Sequence, residues 1–202
     1  MFDAWMRKRI DPALERLGRS VSDREITANQ VTWTGFGIGL MVIPALAFGR
    51  PEIALVCILL NRICDGLDGA VARIRGLSDL GGYLDITLDF LFYSAVIFGF
   101  ALFDPLLNSL PAAFLIFSFV GTGSSFLAFA IVAEKRGIST DIRGKKSIYY
   151  LGGLTEGTET IVFLIALCIW PGSFPWMAWG FGSLCWITTA FRIHAAMTTF
   201  RP

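Results

Sequence analysis

The residues best suited to chemistry are four aspartates in two pairs, Asp65 with Asp68 and Asp85 with Asp89. The first pair is spaced by three residues and the second by four. On a helix, those spacings put both carboxylates of a pair on one face. The surrounding sequence is apolar, and a charge at mid-bilayer costs at least ~2.5–3.5 kcal/mol even on the lenient insertion scale. Four anions are tolerable there only if they face a shared polar cavity and something neutralises them. Arg73 supplies one positive charge, which cannot balance four negative ones. Oxygen-only ligands suit a hard divalent cation, Mg2+ with Mn2+ as the alternative, because zinc favours His or Cys. Four carboxylates suffice for two ions with bridging ligands, the arrangement that clamps an in-line phosphoryl displacement. Glycines flank the acids and let a ligand or a neighbouring helix approach the backbone. Gly66 is expected to serve helix packing, and Gly69 and Gly81 a ligand.

The elements that must position these acids are membrane helices. Of the 202 residues, 54% are apolar and only 16% are charged, with a mean hydropathy of +0.63. A soluble domain carries about a quarter charged residues, so a large soluble domain is excluded. The net charge of +1 indicates no particular partner. Six apolar blocks, at 30–49, 51–73, 82–103, 111–133, 150–170 and 174–198, are each near the roughly 20 residues that span a bilayer. Prolines such as Pro51, Pro105, Pro111, Pro171 and Pro175 punctuate the links. Residues 1–25 interleave Arg7, Arg16 and Arg19 with Ile10, Leu14, Leu17 and Val21 at helical spacing. They predict a helix lying in the headgroup plane. The expected fold is therefore one all-α integral membrane domain over 1–202, with a 30–198 six-helix transmembrane bundle and a 1–25 interfacial amphipathic helix. Threading six spans from an inside N-terminus leaves Arg50 alone outside, which sets both termini and both acid pairs on the cytoplasmic side. The antiparallel second and third spans then bring all four carboxylates to one place. The first 25 residues lack the apolar core of a cleavable signal peptide. Cys57, Cys64, Cys168 and Cys185 read as small packing residues.

Residues 65–89 read DGLDGAVARIRGLSDLGGYLDITLD. This resembles the signature of the CDP-alcohol phosphotransferases, D-x-x-D-G-x-x-A-R followed by G-x-x-x-D-x-x-x-D. The match takes Asp65, Asp68, Gly69, Ala72, Arg73, Gly81, Asp85 and Asp89. The stretch ITANQVT at 26–32 resembles that family's entry to its first span, with Ala28 where Pro is usual. The spacer Ile74–Leu80 has seven residues where the family commonly has eight, and the difference falls in the inner link. The resemblance implies that Asp65, Asp68, Asp85 and Asp89 ligate two ions. It implies that Asp89 is the general base for the acceptor hydroxyl, and that Asp68, Gly69, Arg73, Ser78 and Gly81 contact the CDP moiety. It also implies a bacterial inner (cytoplasmic) membrane location. The expected partners are CDP-diacylglycerol or another CDP-alcohol, an alcohol acceptor, membrane lipid and a second copy of the chain, with no nucleic acid.

The second half adds Glu156 and Glu159, three apart and intramembrane, where acids default to function. Arg192 and Arg62 are their candidate partners. Lys146, Glu156, Glu159 and Arg192 form a candidate acceptor pocket. Free glutamates would favour an amine-bearing acceptor, and free cations a phosphorylated polyol. His194, the lone histidine, reads as an interfacial residue. Small-residue patches at Gly35 with Gly39, and at Gly121, Gly123, Ser124 and Ser125, offer faces for a homodimer. The expected reaction is phosphatidyl transfer from CDP-diacylglycerol to an alcohol, releasing CMP. The rivals are headgroup transfer from a CDP-alcohol to diacylglycerol, a non-catalytic membrane scaffold, and an ion pathway. An ion pathway would spread its acids across the bilayer depth, whereas these cluster at one end.

Overall fold

The computed structural model describes residues 12, 14–138 and 155–201. Lys146 and the first eleven residues lie outside the described residues. Every described regular element is helical. Helix α1 runs over 14–22. Helix α2 (Ala28–Leu40) starts at a capping box: Thr27 N–H donates to Gln30 Oε1 at 2.8 Å, and Gln30 N–H donates to Thr27 Oγ1 at 3.3 Å. A short α3 (Val42–Ala47) continues it after a break at Met41. Pro44 explains that break, because its ring crowds the carbonyl four residues back, at Leu40. Helices α4 (Pro51–Arg75) and α5 (Asp79–Phe103) follow, joined by residues 76–78. Gly76 makes the turn with a φ of +111°, a conformation that a side chain would strain.

Helix α6 (Pro105–Lys135) corrects one expected boundary. The link foreseen over 104–110 shrinks to Asp104, which caps α6 by accepting from Leu107 N–H at 3.1 Å. Pro111 stands inside this helix and is buried. Pro105 is the true start, at a first-turn position where no N–H is needed. Helix α7 (Gly157–Ile169), a 3-10 turn (Pro171–Ser173) and α8 (Phe174–Thr199) complete the chain.

Three stretches are long and apolar enough to cross a membrane: Ala28–Ala47, Asp79–Phe103 and Pro105–Lys135. The pair Gly157–Ile169 with Pro171–Thr199 also passes, but bends by 113°. Composition thus supports three or four crossings among the described residues. Helix α4 is 25 residues long, enough for about 37 Å. Its charged residues, Arg62, Asp65 and Asp68 among them, set it apart from those apolar stretches.

Helix α6 lies along α8, α2 along α4, and α3 along α5. Their shared core contains Leu46, Ile58, Phe92, Val96, Phe100, Leu115, Leu164 and Phe174. Phe100 stacks on Phe174 with ring centres 4.9 Å apart. The small residues are used inside the chain. A Cβ on Gly35 would sit 2.5 Å from Cys64 Cβ, and one on Gly39 would sit 2.8 Å from the Phe92 ring. Gly121 faces Trp186, and Gly123 faces Phe90. Gly35, Gly39, Gly121 and Gly123 therefore each pack against another helix of the same chain. Gly66 serves packing, with Leu14 of α1 against it.

Candidate active site

The site lies at the end of α4 and the start of α5. Ser78 places the second acid pair. Its hydroxyl accepts from Gly81 N–H at 3.0 Å and so starts α5. One turn later α5 presents Asp85, and a further turn presents Asp89. Asp65 and Asp68 face them from the last turns of α4. All four carboxylates line one small, open recess, together with Thr32, Gly35, Phe36, Asn61, Arg62 and Leu88. The convergence expected from the spacings and the short inner link is therefore observed.

Each acid has its own surroundings. Asp68 is buried, and Thr32 Oγ1 of α2 donates to its Oδ2 at 2.6 Å. Asp89 is held at both oxygens. Arg62 Nη2 donates to Oδ1 at 2.7 Å, and Tyr93 Oη donates to Oδ2 at 3.0 Å. Asp65 lies 3.6 Å from Arg62 Nη1. Asp85 is more exposed. Arg62 is thus the counter-charge of the acid cluster and not the partner of Glu156 or Glu159. Its guanidinium also covers the Phe92 ring at 4.9 Å.

The remaining expected residues are placed less centrally. Arg73 and Ser78 are exposed near the mouth. Gly69 is open on the side where a Cβ would point, with only Arg73 Nη1 within reach at 3.5 Å. Gly81 is tighter, since a Cβ there would lie 3.0 Å from Ser78 Oγ. Of the acceptor set, the described residues Glu156, Glu159 and Arg192 do not line the recess. Glu159 accepts from Glu156 N–H at 3.2 Å and caps α7. Arg192 is buried between α8 and α6, donates to Thr122 O at 2.9 Å and lies over Phe126. Sequence reasoning missed Thr32, Asn61 and Tyr93. Tyr93 follows Asp89 by four residues, one helical turn, and that spacing was its available signal.

The donor set fits a divalent metal by its chemistry: four carboxylates on one recess, oxygen only, with a single guanidinium against them. In this side-chain arrangement no three His, Cys, Asp or Glu groups among the described residues already form a metal-holding cluster. Arg62 takes the place of a counter-ion.

Residues 25–198 match the CDP-alcohol phosphatidyltransferase family. The chain belongs to that family. It is 51% identical to the inner membrane protein YnjF of Escherichia coli K12, over 100% of this chain and 98% of that one. It is 29% identical to the archaetidylinositol phosphate synthase of Pyrococcus horikoshii, over 82% of this chain and 89% of that one. The fold matches the crystal structure of Mycobacterium tuberculosis phosphatidylinositol phosphate synthase with CDP-DAG bound, with a TM-score of 0.74 at 20% identity, covering 92% and 94% of the two chains. The same enzyme in complex with manganese and citrate matches with a TM-score of 0.73 at 21% identity, covering 92% and 89%. The protein is accordingly a membrane phosphatidyltransferase-family enzyme. Divalent metal use has a precedent on this fold.

Proposed function

We propose that this phosphatidyltransferase-family protein moves a phosphatidyl group from CDP-diacylglycerol to an alcohol, releasing CMP. The observation that carries the reading is the convergence of Asp65, Asp68, Asp85 and Asp89 on one recess beside the open face of Gly69. These four carboxylates would hold Mg2+ or Mn2+, as two ions. Bound there, the metal neutralises the pyrophosphate and the leaving CMP. The chain's own residues do the rest. Asp89, fixed at both oxygens, takes the proton of the acceptor hydroxyl. The hydroxyl oxygen forms a bond to the lipid-side phosphorus, and the bond from that phosphorus to CMP breaks, with the electron pair leaving on CMP. Gly69, Arg73, Ser78 and Gly81, with Asp68, contact the CDP moiety along the α4–α5 turn. Six crossings, both termini inside and a recess on the cytoplasmic face of a bacterial inner membrane complete the proposal, and the basic residues of the inner links support it.

For the acceptor, a phosphorylated polyol is favoured over an amine. Glu159 is engaged as a helix cap, which removes one carboxylate from holding an amine. The relatives named for inositol phosphate products point the same way. The opposite donor polarity uses the same signature and remains the rival. Purified protein with Mg2+ separates the two. Labelled CDP-diacylglycerol should release CMP when inositol phosphate or glycerol phosphate is added. CMP release only from a labelled CDP-headgroup with diacylglycerol would reverse the assignment.

A further inference from the structure

A chain of contacts crosses three helices and ends on the proposed base. It begins at Gly35 O of α2, which accepts from Asn61 Nδ2 at 2.9 Å. Asn61 Oδ1 then accepts from Arg62 Nε at 2.9 Å and from Nη2 at 2.5 Å. Arg62 Nη2 reaches Asp89 Oδ1 at 2.7 Å, and Tyr93 Oη completes the grip on Oδ2 at 3.0 Å. The close α2–α4 approach at Gly35 makes the first link feasible, since a Cβ there would strike Cys64. The faces of Phe92 and Tyr93 lie 4.9 and 5.5 Å from the guanidinium carbon, so its plane is fixed as well as its position. A partly buried, forked cation held this firmly does more than balance charge.

We propose that Arg62 is a positioning residue for Asp89, with Asn61 and Tyr93 as its supports. The proposal rests on the reading of Asp89 as the base. An ionised carboxylate offers about four acceptor sites. Arg62 and Tyr93 occupy one on each oxygen, which fixes the carboxylate plane and leaves the remaining sites for metal and acceptor hydroxyl. The same guanidinium lies beside Asp65 at 3.6 Å. Its positive charge therefore opposes a divalent cation at these carboxylates and keeps binding from becoming too tight.

The test separates this role from simple structural support, which would weaken everything together. Full-length protein in detergent is titrated with Mn2+, and the free ion is read by electron paramagnetic resonance. CMP release is measured alongside. Arg62→Gln should lower kcat roughly 100-fold, the scale of a misplaced reacting group, with little change in KM for CDP-diacylglycerol. It should also bind Mn2+ about tenfold more tightly, because a nearby like charge is gone. A kcat within about threefold of wild type, or Mn2+ binding no tighter than wild type, overturns the proposal. Arg62→Lys keeps the charge and loses the fork. It should lower kcat about tenfold with Mn2+ binding near wild type. If Arg62→Gln does not fold, the lysine variant decides, and wild-type kcat or lost Mn2+ binding there counts against the proposal. Failure of the wild-type protein itself to bind Mn2+ defeats the metal reading of the site, a separate result.

Discussion

The two halves of the bundle use polar residues in opposite ways. In the α2–α4–α5 half, polar side chains reach across to other helices: Thr32 to Asp68, Asn61 to Gly35, Arg62 to Asp89. In the α6–α8 half, most of them fold back on their own helix. Ser118 donates to Leu115 O, Thr122 to Phe119 O, Ser125 to Thr122 O and Thr189 to Cys185 O. The exceptions there are Asn108, which donates to Phe100 O of α5, Arg192, and the Thr155–Thr188 pair. A hydroxyl that returns to its own carbonyl solves a solvation problem locally and specifies nothing. A polar group that needs a partner on another helix ties two elements together, and it is stable only if every member is satisfied. The first half builds the site, and no described residue of α6 or α8 lines the recess.

The contrast is easiest to break with the metal. Stripping divalent ions with EDTA should abolish CMP release, and Mg2+ or Mn2+ should restore it. Turnover that persists in EDTA would remove the reason for gathering four acids. Asp89→Asn should be next, lowering CMP release roughly 10³-fold, within the range for a lost general base, while the variant still folds. Near-normal turnover would move the base elsewhere. Gly35→Ala should come third, at about 1–3 kcal/mol of stability in detergent, because its Cβ would push α2 away from Cys64. Activity should drop with it, since Thr32 and Asn61 both bridge that interface. A thermally unaltered Gly35→Ala would show that the helices approach less closely than described. Ser118→Ala should do least. It loses one local hydrogen bond, about 1 kcal/mol at most, and should leave turnover unchanged. An inactive but folded Ser118→Ala would show that the second half takes part in catalysis.

How much of this was legible in the sequence depends on what each residue risks by being where it is. Asp65, Asp68, Asp85 and Asp89 stand out because a carboxylate in an apolar block demands an explanation. Their convergence followed from spacing and a short link. Arg62 was visible for the same reason, but its partner was misassigned, since sequence offers no way to choose between acids on different helices. Thr32 and Asn61 went unnoticed because neutral polar groups sit in apolar runs at little cost, and Tyr93 was marked only by its one-turn spacing from Asp89. Pro111 was taken as a boundary although Pro105, six residues earlier, already served as one. The side chains that the glycines pack against, Trp186, Phe90, Phe92 and Cys64, belong to other helices, and such neighbours are invisible to local pattern. Of the acceptor residues, Glu156 and Glu159 were legible as charges but not as a helix start.

Helix α1 rests on the outer side of α4. Gly18 lies against Ala70, and Leu14 against Gly66. Arg75 fastens the junction by donating to Ser22 O at 2.6 Å and to Ser22 Oγ at 3.0 Å. The end of α4 that carries Asp65 and Asp68 is thereby moored to the amphipathic segment. With α1 in the headgroup plane, as its sequence pattern predicts, the mooring would act as a depth gauge. In a thicker or thinner bilayer, the mismatch would be absorbed at the opposite ends of the helices, while the acids kept their distance from the headgroups that their substrates carry.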